Sequence, residues 1–331
     1  ICLSTKNKLI SLKGDILNIE KLLKKNACFY MINYERLRQI GGDGKPSYAL
    51  LIADFISNPE YNFSIIADES HRMKGFKTSE VMQILAPLTH NKMVLSGTPC
   101  PQSHQDLISQ FRFLYPKEHF INAEDIAIKF QPIFVRTTKD DLKDELPKLR
   151  EEYKSINYSG TLKDVHDLFK GDIINNKFNL NDRNDLRALG KIVIKLVRLC
   201  ANPSLVLRDV YLINSDLADA LAEEGMGPKI NQLLNDARSI MHDGNKVIIW
   251  SSFPDSIDQI CDVLEAENFF PVKIHGKIPM GDDKSGYKDP GTRRHAIHEF
   301  KTNPKCMAFV ANPMAAGEGI SLHHVCRHAF Y

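Results

Sequence analysis

Apolar residues in this chain recur in two rhythms, short unbroken runs and wider helical spacings, and their succession predicts its elements. Between residues 1 and 26, Leu9, Ile10, Leu12, Ile16, Leu17, Ile19, Leu22 and Leu23, set among lysine-rich polar stretches, predict a turn followed by an amphipathic helix. Cys28 to Ile32 predicts a short strand, and Asn33 to Leu37 opens a helix that Gly41-Gly42-Asp43-Gly44-Lys45-Pro46 breaks. The run Phe63 to Ala67 predicts a buried strand and Met93-Val94-Leu95 a second, with a helix from about Thr78 to Leu88 between them. An amphipathic helix then spans Gln105 to Leu114 and closes at Tyr115-Pro116.

From residue 150 to 225 the strand pattern is lost. Leu162, Val165, Leu168 and Phe169, then Leu186, Leu189, Ile192, Val193, Leu196, Val197 and Leu199, recur at helical spacing on either side of an Asn- and Asp-rich loop tip from Asn175 to Asn184. A second alternation begins near Gly227-Pro228-Lys229. It predicts helix Ile230 to His242, strand Lys246 to Phe253, helix Ser256 to Glu267, strand Pro271 to Ile274, helix Thr292 to Phe300 and strand Met307 to Val310. Strands alternating with helices predict an α/β fold with parallel sheets flanked by helices.

Ligands of such sheets bind beyond the carboxyl ends of the strands, and the run ending at Ala67 delivers Asp68 and Glu69 there. Two adjacent carboxylates are costly unless a cation or a reacting water justifies them. In phosphoryl transfer the roles separate: the aspartate holds hydrated Mg²⁺, and the glutamate orients and deprotonates the attacking water. The second strand discharges into Ser96-Gly97-Thr98-Pro99, holding small hydroxyls beside the carboxylates. An ordinary turn would explain the Gly and Pro but not both hydroxyls. Gly41 to Pro46 lacks the Gly-x4-Gly-Lys-Ser/Thr spacing and reads as a solvated loop. His323-His324-x-Cys326-x-His328 has metal-ligand residue types without a structural zinc spacing.

Composition narrows the partners. The 331 residues, 43% hydrophobic and 25% charged, have an ordinary globular profile for about two domains. With 43 basic against 41 acidic residues, any basic track for nucleic acid must be local. Seven scattered cysteines, with no Cys-x-x-Cys pair, read as reduced thiols of an intracellular protein, cytoplasmic in a bacterial or phage setting and nuclear in a eukaryotic one. No apolar run approaches a membrane span, so no membrane partner is expected.

The ordered motifs identify a resemblance. Asp68-Glu69-Ser70-His71, followed 27 residues after Glu69 by Ser96-Gly97-Thr98-Pro99, resembles motifs II and III of superfamily 2 helicases and translocases. Asn33-Tyr34-Glu35, the stretch from Gln105 to Pro116, Phe134 to Leu142, and Leu146-Pro147 are similar to the first lobe of the Swi/Snf-related branch. Leu199-Cys200-Ala201-Asn202-Pro203 resembles the helix end before that branch's second lobe, and the succession from Lys246 to Leu322 resembles motifs IV to V. Gly317-Glu318-Gly319-Ile320-Ser321-Leu322 departs from the usual Gly-x-Gly-Leu-Asn-Leu at Ser321.

The resemblance implies two RecA-like lobes joined by a helical insertion: residues 1–150, 151–226 and 227–331. It implies an ATPase that uses Mg²⁺ and moves along double-stranded DNA. Glu69 would be the base, Asp68 the Mg²⁺ holder through water, and His71 the link to the coupling residues Ser96, Gly97 and Thr98. Gly317, Glu318 and Gly319 would face the nucleotide cleft from the second lobe. Arg136, Lys139, Ser252, His275, Arg293 and Arg294 are candidates for DNA contact, as are Lys74, Lys77, Lys143 and Lys273; such contacts grip phosphates without reading sequence.

No Gly-Lys-Ser or Gly-Lys-Thr occurs in the chain, so the expected Walker A loop would have to precede Ile1, and an arginine-bearing motif VI would have to follow Tyr331. The chain is therefore expected to be a central piece with little ATPase activity alone. Two alternatives remain open: the motor of a restriction or phage-defence complex, with nuclease or methylase partner subunits, and a non-catalytic scaffold of the same fold.

Overall fold

Four helix starts in the first part of the chain follow a local rule. Asp15, Asn33, Ser47 and Asn122 each accept the backbone N–H three residues ahead, satisfying a donor that the helix itself leaves free. The structure is a computed structural model describing residues 9–25, 27–40, 47–120, 122–142, 147–176, 178–179, 181–281, 287–317 and 320–331. The chain forms two units, Ile1–Leu149 and Arg150–Tyr331.

The first unit runs β1 (Leu9–Ser11), α1 (Ile16–Leu23), β2 (Phe29–Met31), α2 (Tyr34–Leu37), α3 (Tyr48–Ile56), β3 (Ile65–Ala67), α4 (Phe76–Leu85), β4 (Lys92–Val94), α5 (Leu107–Leu114) and α6 (Ala123–Phe130). A 3-10 turn, Ser70–Lys74, links β3 to α4. β1 pairs in parallel with β2, and β3 with β4 in the register Ile65↔Lys92, Ile66↔Met93, Ala67↔Val94. The core gathers Ile10, Ile16, Ile19, Leu37, Ile52, Ala67, Met73, Met82 and Phe113.

The helix expected before residue 26 is α1, whereas the turn expected ahead of it needs correction. Leu9–Ser11 is a strand because it pairs with Phe29–Met31, a partner that local periodicity does not report. The strand at Ile65–Ala67 is buried on one face only: Ala67 lies in the core, while Ile66 is 48% and its neighbour Met93 53% exposed. Leu9, Phe29 and Met31 are likewise exposed on the outer face of the other pair.

The second unit begins with helices α7 (Gly160–Asn175), α8 (Arg183–Ala201), α9 (Leu207–Tyr211) and α10 (Ser215–Glu223), which bury Leu162, Val165, Phe169, Leu199, Val210 and Leu221 together. Then come α11 (Gly227–His242), β5 (Val247–Trp250), α12 (Pro254–Ala266), β6 (Val272–Ile274), α13 (Arg293–Thr302), β7 (Ala308–Ala311), α14 (Pro313–Ala316) and β8 (His328–Phe330). The strands form a four-stranded parallel sheet in the order β6-β7-β5-β8.

Side chains alternate across this sheet. Val247, Ile249, Ala308 and Val310 pack with α11 and α12, whereas Phe309 and Ala311 pack with Ile274 and with Phe300 of α13. Cover on both faces is the usual condition of a parallel sheet, and the α/β class with parallel sheets flanked by helices is borne out. Asn202, fully buried, joins the helices to the sheet layer: its Oδ1 accepts from the Ser204 N–H at 3.0 Å, and its Nδ2 donates to Ser256 Oγ at 3.2 Å and Gln259 Oε1 at 2.7 Å on α12.

Candidate active site

Asp68 and Glu69 leave the carboxyl end of β3, and Ser96-Gly97-Thr98 leaves the carboxyl end of its neighbour β4. Backbone pairing continues past the strands: the Leu95 N–H donates to Ala67 O, and the Ser70 N–H to Leu95 O, each at 2.9 Å. The two turns are thereby held side by side. Glu69 adopts the left-handed conformation, φ 46° and ψ 50°, which is strained for a residue with a Cβ. Asp68 Oδ1 accepts the Glu69 N–H at 3.0 Å, and Glu69 O accepts the Arg72 N–H at 2.9 Å.

One imidazole nitrogen joins the two turns. His71 Nδ1 lies 3.2 Å from Glu69 Oε2 and 3.0 Å from Ser96 Oγ, and Ser96 Oγ also accepts the Thr98 N–H at 3.1 Å. With Glu69 ionised, a proton on Nδ1 serves the carboxylate and the hydroxyl together. Ser70, pointing inward, donates to Gln110 Oε1 at 2.8 Å, and Gln110 Nε2 donates to Pro99 O at 2.8 Å. This buried glutamine thus ties the turn after β3 to the turn after β4. Its signal in the sequence is a polar residue on an apolar stripe, between Leu107 and Phe111.

Residues of α2 approach from the other side. The Tyr34 hydroxyl donates to Asp68 O at 2.8 Å, Glu35 forms an ion pair with Arg72, and the Arg72 guanidinium lies 6.0 Å from the centre of the Tyr34 ring. Burial pushes the Tyr34 hydroxyl pKa up to about 12, Asp68 and Glu69 add to the rise, and Arg72 opposes it.

The carboxylates suit a hydrated Mg²⁺. Asp68 is exposed, and its Oδ2 has no hydrogen-bond or ion-pair partner among the described residues. Mg²⁺ keeps several waters and takes one or two carboxylates alongside phosphates, which matches this donor set. Among the described residues, no three His, Cys, Asp or Glu side chains are grouped to hold an ion. Cys326 is buried, its thiol directed to Lys246 O at 3.0 Å.

In the second unit, Ser252, Asn312 and His275 follow adjacent strands β5, β7 and β6 at the carboxyl edge of the sheet, and Asn312 Nδ2 donates to Ser252 O at 2.9 Å. His275 is 4% exposed, with Nε2 3.4 Å from Asp258 Oδ1. The half-buried Arg293 guanidinium donates to Ile278 O at 2.8 Å, His275 O at 3.3 Å and Ala315 O at 3.4 Å. Lys273 pairs with Asp258, and Lys74 with Asp106 at 3.6 Å.

Ser252 is exposed, Arg294 half-buried, and Lys77, Arg136 and Lys139 exposed; Lys143 lies outside the described residues. Gly317 closes α14, its N–H donating to Pro313 O at 2.7 Å, while Glu318 and Gly319 lie outside the described residues. A Cβ on Gly317 would meet Pro313 O at 2.5 Å, so the close approach requires glycine.

Residues 32–125, which contain both turns and the Tyr34–Arg72 contacts, match the SNF2-related domain. Over 274 residues the chain is 27% identical to the CHD3-type chromatin-remodeling factor CHR7 of Arabidopsis thaliana, covering 78% of this chain and 21% of that protein. It is 23% identical to the ATP-dependent DNA helicase DDM1 of Arabidopsis thaliana, covering 78% of this chain and 37% of that protein. The chain therefore spans between 21% and 37% of the length of these relatives. A solved helicase domain, Hef of Pyrococcus furiosus, aligns with 94% of this chain and 78% of its own at 10% identity and a TM-score of 0.46. The resemblance to the Swi/Snf-related branch is borne out. No helix among the described residues is long and apolar enough to cross a membrane.

Proposed function

We propose that this chain, SNF2-related over residues 32–125, is part of an ATP-driven motor that moves along double-stranded DNA. Residues 1–150 and 227–331 are the two RecA-like lobes of that motor, with the helices of 151–226 inserted between them in sequence. Glu69 is the base that orients water and takes its proton. Asp68 holds Mg²⁺ through water, and the ion, when bound, neutralises phosphate charge.

The observation that carries this reading is the His71 nitrogen shared between Glu69 Oε2 at 3.2 Å and Ser96 Oγ at 3.0 Å. When Glu69 takes a proton its negative charge is lost, and its hold on His71 Nδ1–H weakens. The proton then favours Ser96 Oγ, which is also bound to the Thr98 N–H, so the change of charge reaches the Ser96-Gly97-Thr98 segment. Gly317, where α14 ends, is assigned to nucleotide contact from the second lobe. Arg136, Lys139, Ser252 and Arg294 contribute to the grip on DNA phosphates, a grip that weakens steeply with salt.

The two named relatives, a chromatin-remodeling factor and an ATP-dependent DNA helicase, favour a motor over a catalytically silent scaffold and favour a nuclear place of work in a eukaryotic cell. The test is Glu69→Gln in the full-length protein. DNA-stimulated ATP turnover should fall at least a hundredfold, on the order expected when a catalytic base is lost, while duplex affinity stays unchanged. Turnover that persists would remove Glu69 from its role.

A further inference from the structure

The Asp68–Glu69 turn carries strain that something must hold. The two residues share one peptide group, and its two ends are held by different partners. The N–H of Glu69 donates to Asp68 Oδ1 at 3.0 Å, and the C=O of Asp68 accepts from the Tyr34 hydroxyl at 2.8 Å. Rotating that peptide plane would change Asp68 ψ and Glu69 φ together, so it is the direct route by which Glu69 could leave φ 46°. The same rotation would turn the Glu69 N–H away from Asp68 Oδ1 and free that carboxylate.

The N–H partner lies within the turn and moves with it. Tyr34 is different: it sits on α2, 34 residues earlier in the chain, and is anchored independently. Asn33 caps that helix, and Leu37 at its end is buried in the core. Arg72 lies against the Tyr34 ring and pairs with Glu35, tying the first turn of α2 to the segment after Glu69. The ion pair is exposed and worth little by itself. Its geometric effect is to keep the phenol over the peptide.

We infer that Tyr34, steadied by the Glu35–Arg72 pair, is a positioning residue that pins the Asp68–Glu69 peptide, keeping the N–H that aims the Asp68 carboxylate and the backbone conformation from which Glu69 projects. The inference rests on the hydrolytic reading above. It assigns Tyr34 no contact with nucleotide or metal.

Tyr34→Phe removes one oxygen and keeps the ring, and Glu35→Gln loosens Arg72 without touching Tyr34. In the full-length protein, hydrogen–deuterium exchange of the Glu69 and Ser70 amides should rise about fivefold in Tyr34→Phe, the effect of one lost hydrogen bond, and about twofold in Glu35→Gln. DNA-stimulated kcat should fall in the same order while KM for ATP and duplex affinity hold. Glu267→Gln, which breaks an ion pair with Arg238 in the other unit, should change neither readout. Unchanged exchange in Tyr34→Phe overturns the pinning, and raised exchange with unchanged kcat overturns the positioning role. A wild-type protein with no ATP turnover overturns the hydrolytic reading, and the positioning role with it.

Discussion

Asn202→Ala offers a severe test of how the second unit is assembled. The side chain is fully buried and makes a cap bond to Ser204 N and two donor bonds to Ser256 Oγ and Gln259 Oε1. Each donor bond contributes about 1 kcal/mol net and the cap about 1 kcal/mol, and alanine supplies neither donor nor acceptor, so the loss should be about 3 kcal/mol. The chain's single tryptophan, Trp250, lies on β5 against Phe309, so its fluorescence reports this unit alone. Taking a urea m-value of about 2 kcal/mol/M, the midpoint should fall by about 1.5 M with unchanged slope. A cycle with Gln259→Ala should return a coupling of about 1 kcal/mol. A midpoint shift below about 0.3 M, or no coupling, would refute the view that Asn202 carries the junction between helices and sheet.

Two further outcomes follow from local geometry. Gly227→Ala should cost roughly 2–3 kcal/mol, because Gly227 has φ +77° and a Cβ there would lie 2.7 Å from the Pro203 ring; Trp250 fluorescence in urea measures it. Tyr34 gives a pH dependence in the first unit. Its folded pKa is raised to about 12, against about 10 unfolded, so the folded state holds the proton more tightly. The contribution is complete below pH 10 and is lost as pH rises from 10 toward 12. Pulse proteolysis across that range should show a steeper loss in wild type than in Tyr34→Phe, and parallel profiles would argue against a buried hydroxyl.

Much of this architecture is written in short stretches. The strand that delivers Asp68 and Glu69, the hydroxyl turn beside it, and the alternation from Gly227 to Ala311 are all legible, because each is a run of residues with a local rule. Leu9–Ser11 is not legible, because its strand state comes from pairing with Phe29–Met31. Helix α3 carries a readable cap in Ser47, but its sequence is apolar nearly all round and hides the helical period behind a run that also suits a strand. For His275 and Arg293, residue type suggests phosphate contact but does not report their surroundings, burial beside Asp258 in one case and hydrogen bonds to backbone carbonyls in the other. Gln110 and Tyr34 act through tertiary hydrogen bonds to backbone or to a distant serine, which spacing cannot report.

The outer faces of the two parallel strand pairs have a practical consequence for handling the protein. Leu9, Phe29, Met31, Ile66 and Met93 present apolar side chains to water from short, regular surfaces. Such surfaces attract one another more strongly in kosmotropic salt, whereas the proposed contacts with DNA phosphates would weaken in salt. Ionic strength therefore pulls the solution behaviour of this chain in two directions. Concentrated sulfate or phosphate should favour association of copies through these faces while weakening the proposed phosphate contacts, and low salt should do the reverse.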